Sequence, residues 1–247
     1  MRTFYTRQGG KNLLKKRLLE IFPPIDTYNI YVEPFFGAGN LFFLKPKSPK
    51  EIINDKEKMI YYALKDIQKV GIDDIDRMDW TCSKRKFITL KNSKPTTHLQ
   101  RLYKFLYLNW NSFAGMMKSY SENGCLRRNI DRFKLQLQKL KDRLKGVIIL
   151  NQDYTNVIKK YDTPFTFFYL DPPYYDVNVS GYYEHGTIDV KELAFLLKNL
   201  KGKFMLSYND NSYIRREFQD FRIRKIETVY IIGGIHRPIE ELIITNY

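Results

Sequence analysis

The chain has 247 residues, 43% of them hydrophobic and including 17 Phe and 19 Tyr. That is enough apolar surface for a real core and argues against extended disorder. Forty-two Lys and Arg against 27 Asp and Glu give a net charge of +15, a balance that favours polyanionic partners. Cys82 and Cys125 stand alone, with no C-x-x-C and no histidine nearby at ligand spacing, so neither a disulfide scaffold nor a metal site is expected.

The N-terminus is polar and basic, and no apolar run approaches 18 residues. No signal peptide or membrane span is expected, and the default location is intracellular. In chain order, Leu13 to Phe22 reads as a helix, and Asn29 to Glu33 as a strand running into "PFFGAGN". "EIIND" (51–55) is a second strand, and Glu57 to Lys69 has helical periodicity. "GVIILNQD" (146–153) and "TPFTFFYLD" (163–171) are the third and fourth strands, the latter stopped by two prolines. A helix from Asp189 to Leu200, capped by Asp189, precedes the strand "GKFMLSYND" (202–210), and a further helix covers Asn211 to Phe218. "RKIETVYII" and "EELIITNY" close the chain as a hairpin through a Gly-Gly turn. Strands alternating with helices predict a doubly wound, mostly parallel α/β sheet with an antiparallel pair at its end.

Residues 71–145 break the alternation. Leu99, Leu102, Phe105 and Leu106 mark one apolar helical face, and Phe133, Leu137, Leu140 and Leu144 another. Between Thr81 and Lys145 there are 16 Lys and Arg against three acids, a local +13 out of +15. Such a concentration suits an insertion that meets phosphates. The expected organisation is a catalytic domain from 1–70 and 146–247, carrying a basic insertion at 71–145.

In doubly wound sheets ligands collect outside the carboxyl ends of the strands. Gly37 and Gly39 in "EPFFGAGN" (33–40) permit a tight turn and a close approach to a ligand. The loop lacks both the third glycine of the dinucleotide fingerprint and the G-K-[ST] of a P-loop, so neither NAD nor ATP is its natural ligand. Asp55, 18 residues beyond Gly37, suits the hydroxyls of a ribose or the N-cap of the next helix. Asp153 either contacts an adenine edge or caps a helix. Asp171 precedes Pro172 and Pro173, which lack N–H groups and stiffen the strand tip. A carboxylate, main-chain carbonyls and the flat ring of Tyr174 together recognise an exocyclic amino group on a heterocycle. Stacking asks for the ring of Tyr174 and not its hydroxyl. A D-P-P sequence can also simply end a strand.

"YLDPPYY" (169–175) with "VEPFFGAGN" (32–40) resembles the Dam-like D12 class of N6-adenine DNA methyltransferases. "RQGGK" (7–11) resembles that class's N-terminal cofactor motif, "LNWNSFAGM" (108–116) the segment that opens its target-recognition hairpin, and "LSYND" and "EELIITNY" its last strands. The order, glycine loop, then recognition insert, then D-P-P-Y, is that of the α arrangement. The resemblance implies a Rossmann-like methyltransferase sheet with a mainly helical target-recognition insertion. It also implies S-adenosyl-L-methionine as methyl donor, double-stranded DNA as substrate and, in some members, a cognate restriction endonuclease. The cofactor residues it implies are Arg7, Gly10, Lys11, Glu33, Phe35, Phe36, Gly37, Ala38, Gly39, Asp55, Asp153 and Asp171; the catalytic ones are Asp171, Pro172, Pro173 and Tyr174. Arg7 departs from the Tyr or Trp usual there, and "NWNSFAGMMKS" departs from the better-known N-R-x-x-F-N-G-L-x-R form. Within 112–128, two glycines flank a polar stretch whose one exposed aromatic is expected to be Tyr120. As a hairpin it would bring Lys118, Tyr120, Asn123, Arg127 and Arg128 to DNA; the alternative is an ordinary connecting loop. Competing functions are methylation of RNA or of a protein amide, and a catalytically silent DNA-binding module of the same fold.

Overall fold

The computed structural model describes residues 3–7, 14–122, 127–174, 188–232 and 235–247. It divides into two compact units. One comprises Lys11–Phe36, Lys45–Lys56 and Leu150–Tyr247, and the other Met1–Gly10, Gly37–Leu44 and Glu57–Ile149.

Among the described residues, seven strands make one sheet: β1 (Ile30–Glu33), β2 (Lys50–Asn54), β3 (Ile148–Leu150), β4 (Thr166–Leu170), β5 (Lys203–Asn209), β6 (Arg222–Ile232) and β7 (Ile235–Thr245). Their order is β3-β2-β1-β4-β5-β7-β6. β1 runs parallel to β2 and β4, and β4 parallel to β5, whereas β7 is antiparallel to both β5 and β6. The sheet is the Rossmann-like, doubly wound one expected, with its antiparallel pair at the edge. Strand order reverses between β1 and β4, so the ends of these two strands flank the switch point where such sheets bind ligands.

β4 shows why the run "TFFYL" is continuous and not alternating. All five residues are buried, as a central parallel strand covered on both faces demands. Phe22 packs edge-on against Phe167 and tilted against Tyr31 and Tyr169. α1 (Lys15–Ile21) buries Leu18. In the same unit, α7 (Tyr154–Tyr161), α8 (Val190–Lys198) and α9 (Ser212–Glu217) begin at the side-chain caps Asp153, Asp189 and Asn211. The final hairpin is longer than the sequence pattern indicates, because β6 starts at Arg222 and β7 at Ile235. These added residues gain ladder hydrogen bonds, which require no apolar alternation. The Gly233-Gly234 turn lies outside the described residues.

The other unit is helical: α2 (Lys58–Asp66), α3 (Ile72–Asp76), α4 (Lys84–Asn92), α5 (His98–Trp110) and α6 (Arg127–Leu144). Leu102, Phe105 and Leu106 of α5 and Phe133, Leu137, Leu140 and Leu144 of α6 are buried, while Leu99 is only half-buried. Thr97 and Gln100 form a capping box at the start of α5. Arg101 pairs with Asp66 through two hydrogen bonds of 2.9 Å, tying α5 to α2. No helix among the described residues is long and apolar enough to cross a membrane.

Candidate active site

In the sheet unit, the strand tips carry the expected carboxylates, each in a different environment. Glu33 is buried and accepts a hydrogen bond of 2.8 Å from the Tyr31 hydroxyl. Burial, with the Glu33 charge beside it, holds that phenol well above its ordinary pKa, so it stays a donor. Asn54 then ties two loops together. Its amide donates to Pro34 O (2.9 Å) and Gln152 O (3.1 Å), its side-chain oxygen accepts from Gln152 N (2.9 Å), and its carbonyl accepts from Phe36 N (2.9 Å). Nothing in the sequence pattern had singled out Asn54. Phe36 is buried, and half-buried Phe35 leans on Tyr154 with ring centroids 5.1 Å apart.

Asp55 is buried, with its N–H on Leu150 O and its carbonyl accepting from Asn151 Nδ2 at 2.7 Å. The N-cap of the helix after it is Glu57, two residues further on. Asp153 is itself the N-cap of α7. Its Oδ1 accepts from Thr155 N at 3.0 Å, and its Oδ2 lies 3.2 Å from Lys56 Nζ. Partial burial raises its pKa, but the bonds from Thr155 and Lys56 outweigh that and leave it below the ordinary carboxylate value.

The D-P-P-Y segment is held at three points. Ser207 on β5 donates to Asp171 Oδ1 at 3.1 Å. Tyr208, the next residue on β5, donates from its hydroxyl to Pro173 O at 3.1 Å. Tyr174 stacks over Tyr208 with centroids 5.7 Å apart and planes 26° apart, and its hydroxyl donates to Glu241 Oε1 at 2.7 Å. The hydroxyl, which stacking does not need, is therefore engaged. Pro172 is buried, while Asp171, Pro173 and Tyr174 are partly exposed.

In the helical unit, Gly37 and Gly39 take φ of 52° and 65°, left-handed values at which a side chain would be strained. Gly37 O accepts from the Tyr5 hydroxyl, and Ala38 is buried. Arg7 forms a two-pronged ion pair with Glu57 of 2.7 and 2.5 Å. Asn109, 2% exposed, is clamped onto Thr6 and Gly115. Its Oδ1 accepts from Thr6 N (2.9 Å), and its Nδ2 donates to Thr6 O (2.8 Å) and Gly115 O (3.0 Å). A Cβ on Gly115 would meet Thr6 O at 2.3 Å, so only glycine permits this approach.

Beyond Asn109 the chain makes a tight loop closed by an antiparallel bridge between Ser112 and Tyr120 and by Ser121 N bonded to Asn111 O at 2.8 Å. Ala114 and Met117 inside it have φ of 50° and 57°. Here one expectation is corrected. Tyr120 is half-buried with its ring edge-on to Phe87, 5.9 Å away, and the exposed aromatic is Phe113, at 48%. The burial is supplied by a helix some thirty residues upstream, out of reach of a local reading. Lys118 is exposed, and its carbonyl accepts from Lys91 Nζ at 2.7 Å. Gly10, Lys11 and Asn123 lie outside the described residues, as do the side chains of Arg127 and Arg128, which begin α6.

Sequence reasoning missed Asn54, Glu57, Asn109, Ser207 and Glu241. Ser207 lies in "LSYND" and Glu241 in "EELIITNY", but their role depends on the pairing of β5 with β7.

Comparison with known proteins gives the family of the chain. The family model described as D12 class N6 adenine-specific DNA methyltransferase matches residues 8–232. "Type II methyltransferase M1.LlaDCHI" of Lactococcus lactis subsp. cremoris is 26% identical, across 100% of this chain and 96% of its own length. "Type II methyltransferase M.CviBI" of Paramecium bursaria Chlorella virus NC1A is 24% identical, across 90% of this chain and 88% of its own.

Proposed function

We propose, for a chain that belongs to the D12 class of N6-adenine-specific DNA methyltransferases, that Asp171 and Pro172 hold the amino group of a target adenine extruded from double-stranded DNA. The chain is an S-adenosylmethionine-dependent DNA methyltransferase, and the proposal concerns how its residues do this work. The observation that carries it is the Asp171 carboxylate, pinned by Ser207 at the end of β4, beside the switch point of the sheet.

An adenine N6 is a poor nucleophile because its lone pair is delocalised into the ring. The Asp171 carboxylate accepts one N–H and the Pro172 carbonyl the other, which turns the lone pair out of the ring plane. Pro173 is the weaker choice for the second acceptor, since its carbonyl already receives the Tyr208 hydroxyl. The cofactor, when bound, supplies an electrophilic methyl group on a sulfonium. Asp171, which holds one N–H and is partly exposed, would take the proton that N6 gives up on methylation and pass it to water. Orientation and local electrostatics are the catalytic devices, and no covalent intermediate with the protein is required.

The donor set around the strand tips fits the cofactor. A buried carboxylate on Asp55 suits two ribose hydroxyls, and Phe35, propped by Tyr154, offers an apolar flank for a base. Glu33 and Phe36 complete the β1 side. Arg7, Gly10, Lys11 and the turn Gly37-Ala38-Gly39 are assigned to the cofactor on the family pattern. Asp153 acts chiefly as the cap of α7 and the partner of Lys56.

The target nitrogen is unreachable inside a duplex, so the adenine is flipped out and stacks on Tyr174. Flipping costs a few kcal/mol, offset by phosphate contacts from the basic stretch 71–145, the target-recognition region. Lys118, Tyr120, Asn123, Arg127 and Arg128 are its DNA contacts. A cognate restriction endonuclease, and an intracellular site of action on DNA, complete the reading; support for the endonuclease is the type II label of the two relatives.

A binding comparison tests the flip. A duplex with a mismatch opposite the target adenine has already lost part of the unpairing cost, and is expected to bind about tenfold more tightly than the matched duplex. Equal affinity for the two would contradict extrusion.

A further inference from the structure

Glu241 has no exposed surface, yet it carries a carboxylate into the middle of a strand. It lies on β7 in register with Asn209 on β5 and Ile226 on β6, among the buried Leu242, Ile243 and Ile244. Desolvating a carboxylate is costly, and a strand position like this one is served more cheaply by an aliphatic side chain. The Tyr174 hydroxyl bonds to it at 2.7 Å.

The geometry of that bond matters. A tyrosine ring swings about its first side-chain torsion, and the hydroxyl, farthest from the backbone, moves most. A bond at that atom therefore restrains the ring better than one anywhere else. Tyr208 supports one face of the same ring, at 5.7 Å and 26°, and its own hydroxyl fixes Pro173 O. β5 and β7, adjacent and antiparallel, thus hold the plate from beneath and from its tip.

We propose that Glu241 is a positioning residue for methyl transfer: through the Tyr174 hydroxyl it sets the ring on which the target base stacks. In this role Glu241 acts through the Tyr174 hydroxyl. The inference rests on the reading that Tyr174 receives the adenine, and it makes the tyrosine hydroxyl functionally necessary, which stacking alone would not.

The test uses the full-length enzyme and the variants Tyr174→Phe, Glu241→Gln, Glu241→Leu, Tyr174→Phe with Glu241→Leu, and Tyr174→Ala. Single-turnover methyl transfer is measured with saturating S-adenosylmethionine and cognate duplex, beside equilibrium affinities for each. Tyr174→Phe and Glu241→Leu are each expected to slow transfer by about tenfold to a hundredfold, the rate equivalent of one hydrogen bond to a charged acceptor. The double variant is expected to be no slower than the slower single one. Glu241→Gln keeps an oxygen acceptor and is expected to recover most of the rate. Cofactor affinity stays within about twofold, which separates positioning from general damage to the fold. Wild-type rates in Tyr174→Phe and Glu241→Leu, with Tyr174→Ala slow, would overturn the bracing role and leave the stacking role intact. A wild-type rate in Tyr174→Ala would overturn both. If Glu241→Leu does not fold, Tyr174→Phe at the wild-type rate suffices to reject the proposal.

Discussion

The Ser207 hydroxyl lies 3.1 Å from Asp171 Oδ1, a bond from β5 to the first residue beyond β4. It fixes the carboxylate without neutralising it, as an arginine or lysine partner would. Ser207→Ala is expected to reduce single-turnover methyl transfer by about tenfold, the loss of one hydrogen bond that aims a charged group. Binding of S-adenosylmethionine and DNA should hardly change. If the Ser207 variant were as inactive as Asp171→Ala, the serine would belong to the chemistry itself.

Asn109 bonds both main-chain groups of Thr6 and the carbonyl of Gly115. Asn109→Ala removes three bonds at a buried position, and is expected to destabilise the protein by about 2 kcal/mol in urea titration. Asn109→Asp keeps only an acceptor, so it loses the two bonds the amide donates and should fall close to the alanine variant. An unchanged midpoint in both would show that the clamp contributes nothing.

Arg101 and Asp66 form the ion pair between α5 and α2, with side chains 28% and 1% exposed. Asp66 lowers the free energy of the charged Arg101, whose pKa rises above its ordinary value. Arg101→Ala leaves the carboxylate buried without this partner. The expected cost is about 2 kcal/mol, discounted from the range for a fully buried pair because the arginine is partly solvated. Adding Asp66→Asn should return part of that loss. A double variant less stable than Arg101→Ala would argue that Asp66 has an independent role.

Lys91 and Lys118 are exposed, and the Lys91 ammonium reaches the Lys118 carbonyl, which keeps the two residues together on the surface of the helical unit. Affinity for DNA is expected to fall steeply with salt. Each phosphate contact removed by Lys91→Ala or Lys118→Ala should flatten the slope of log affinity against log salt by about 0.9. An unchanged slope in the double variant would place this surface away from the DNA.

The fold was legible in the sequence where burial is two-sided. "TFFYL" and "KFMLSYN" announce central strands through their continuous apolar runs, Phe167 to Leu170 and Phe204 to Leu206. The helix α6 was equally plain, since the repeat of Phe133, Leu137, Leu140 and Leu144 matches its buried face. Residues whose role depends on a distant partner were less legible. Asp55 and Asp153 both follow strands and offer the same carboxylate, and it is the Thr155 N–H that identifies the second as a cap. Ser207 and Glu241 act on the D-P-P-Y segment from strands that follow it by more than thirty residues, through a register that a linear motif does not encode.

The central claim, that Asp171 presents an adenine amino group for methylation, is tested most directly by the chemical identity of the product. DNA is incubated with methyl-labelled S-adenosylmethionine and either the wild-type enzyme or Asp171→Ala, then digested to nucleosides and separated. The account predicts label in N6-methyldeoxyadenosine alone for the wild type, and no label for a folded Asp171→Ala that still binds DNA. Label in N4-methyldeoxycytidine, or a variant that keeps more than a small fraction of the rate, would contradict it.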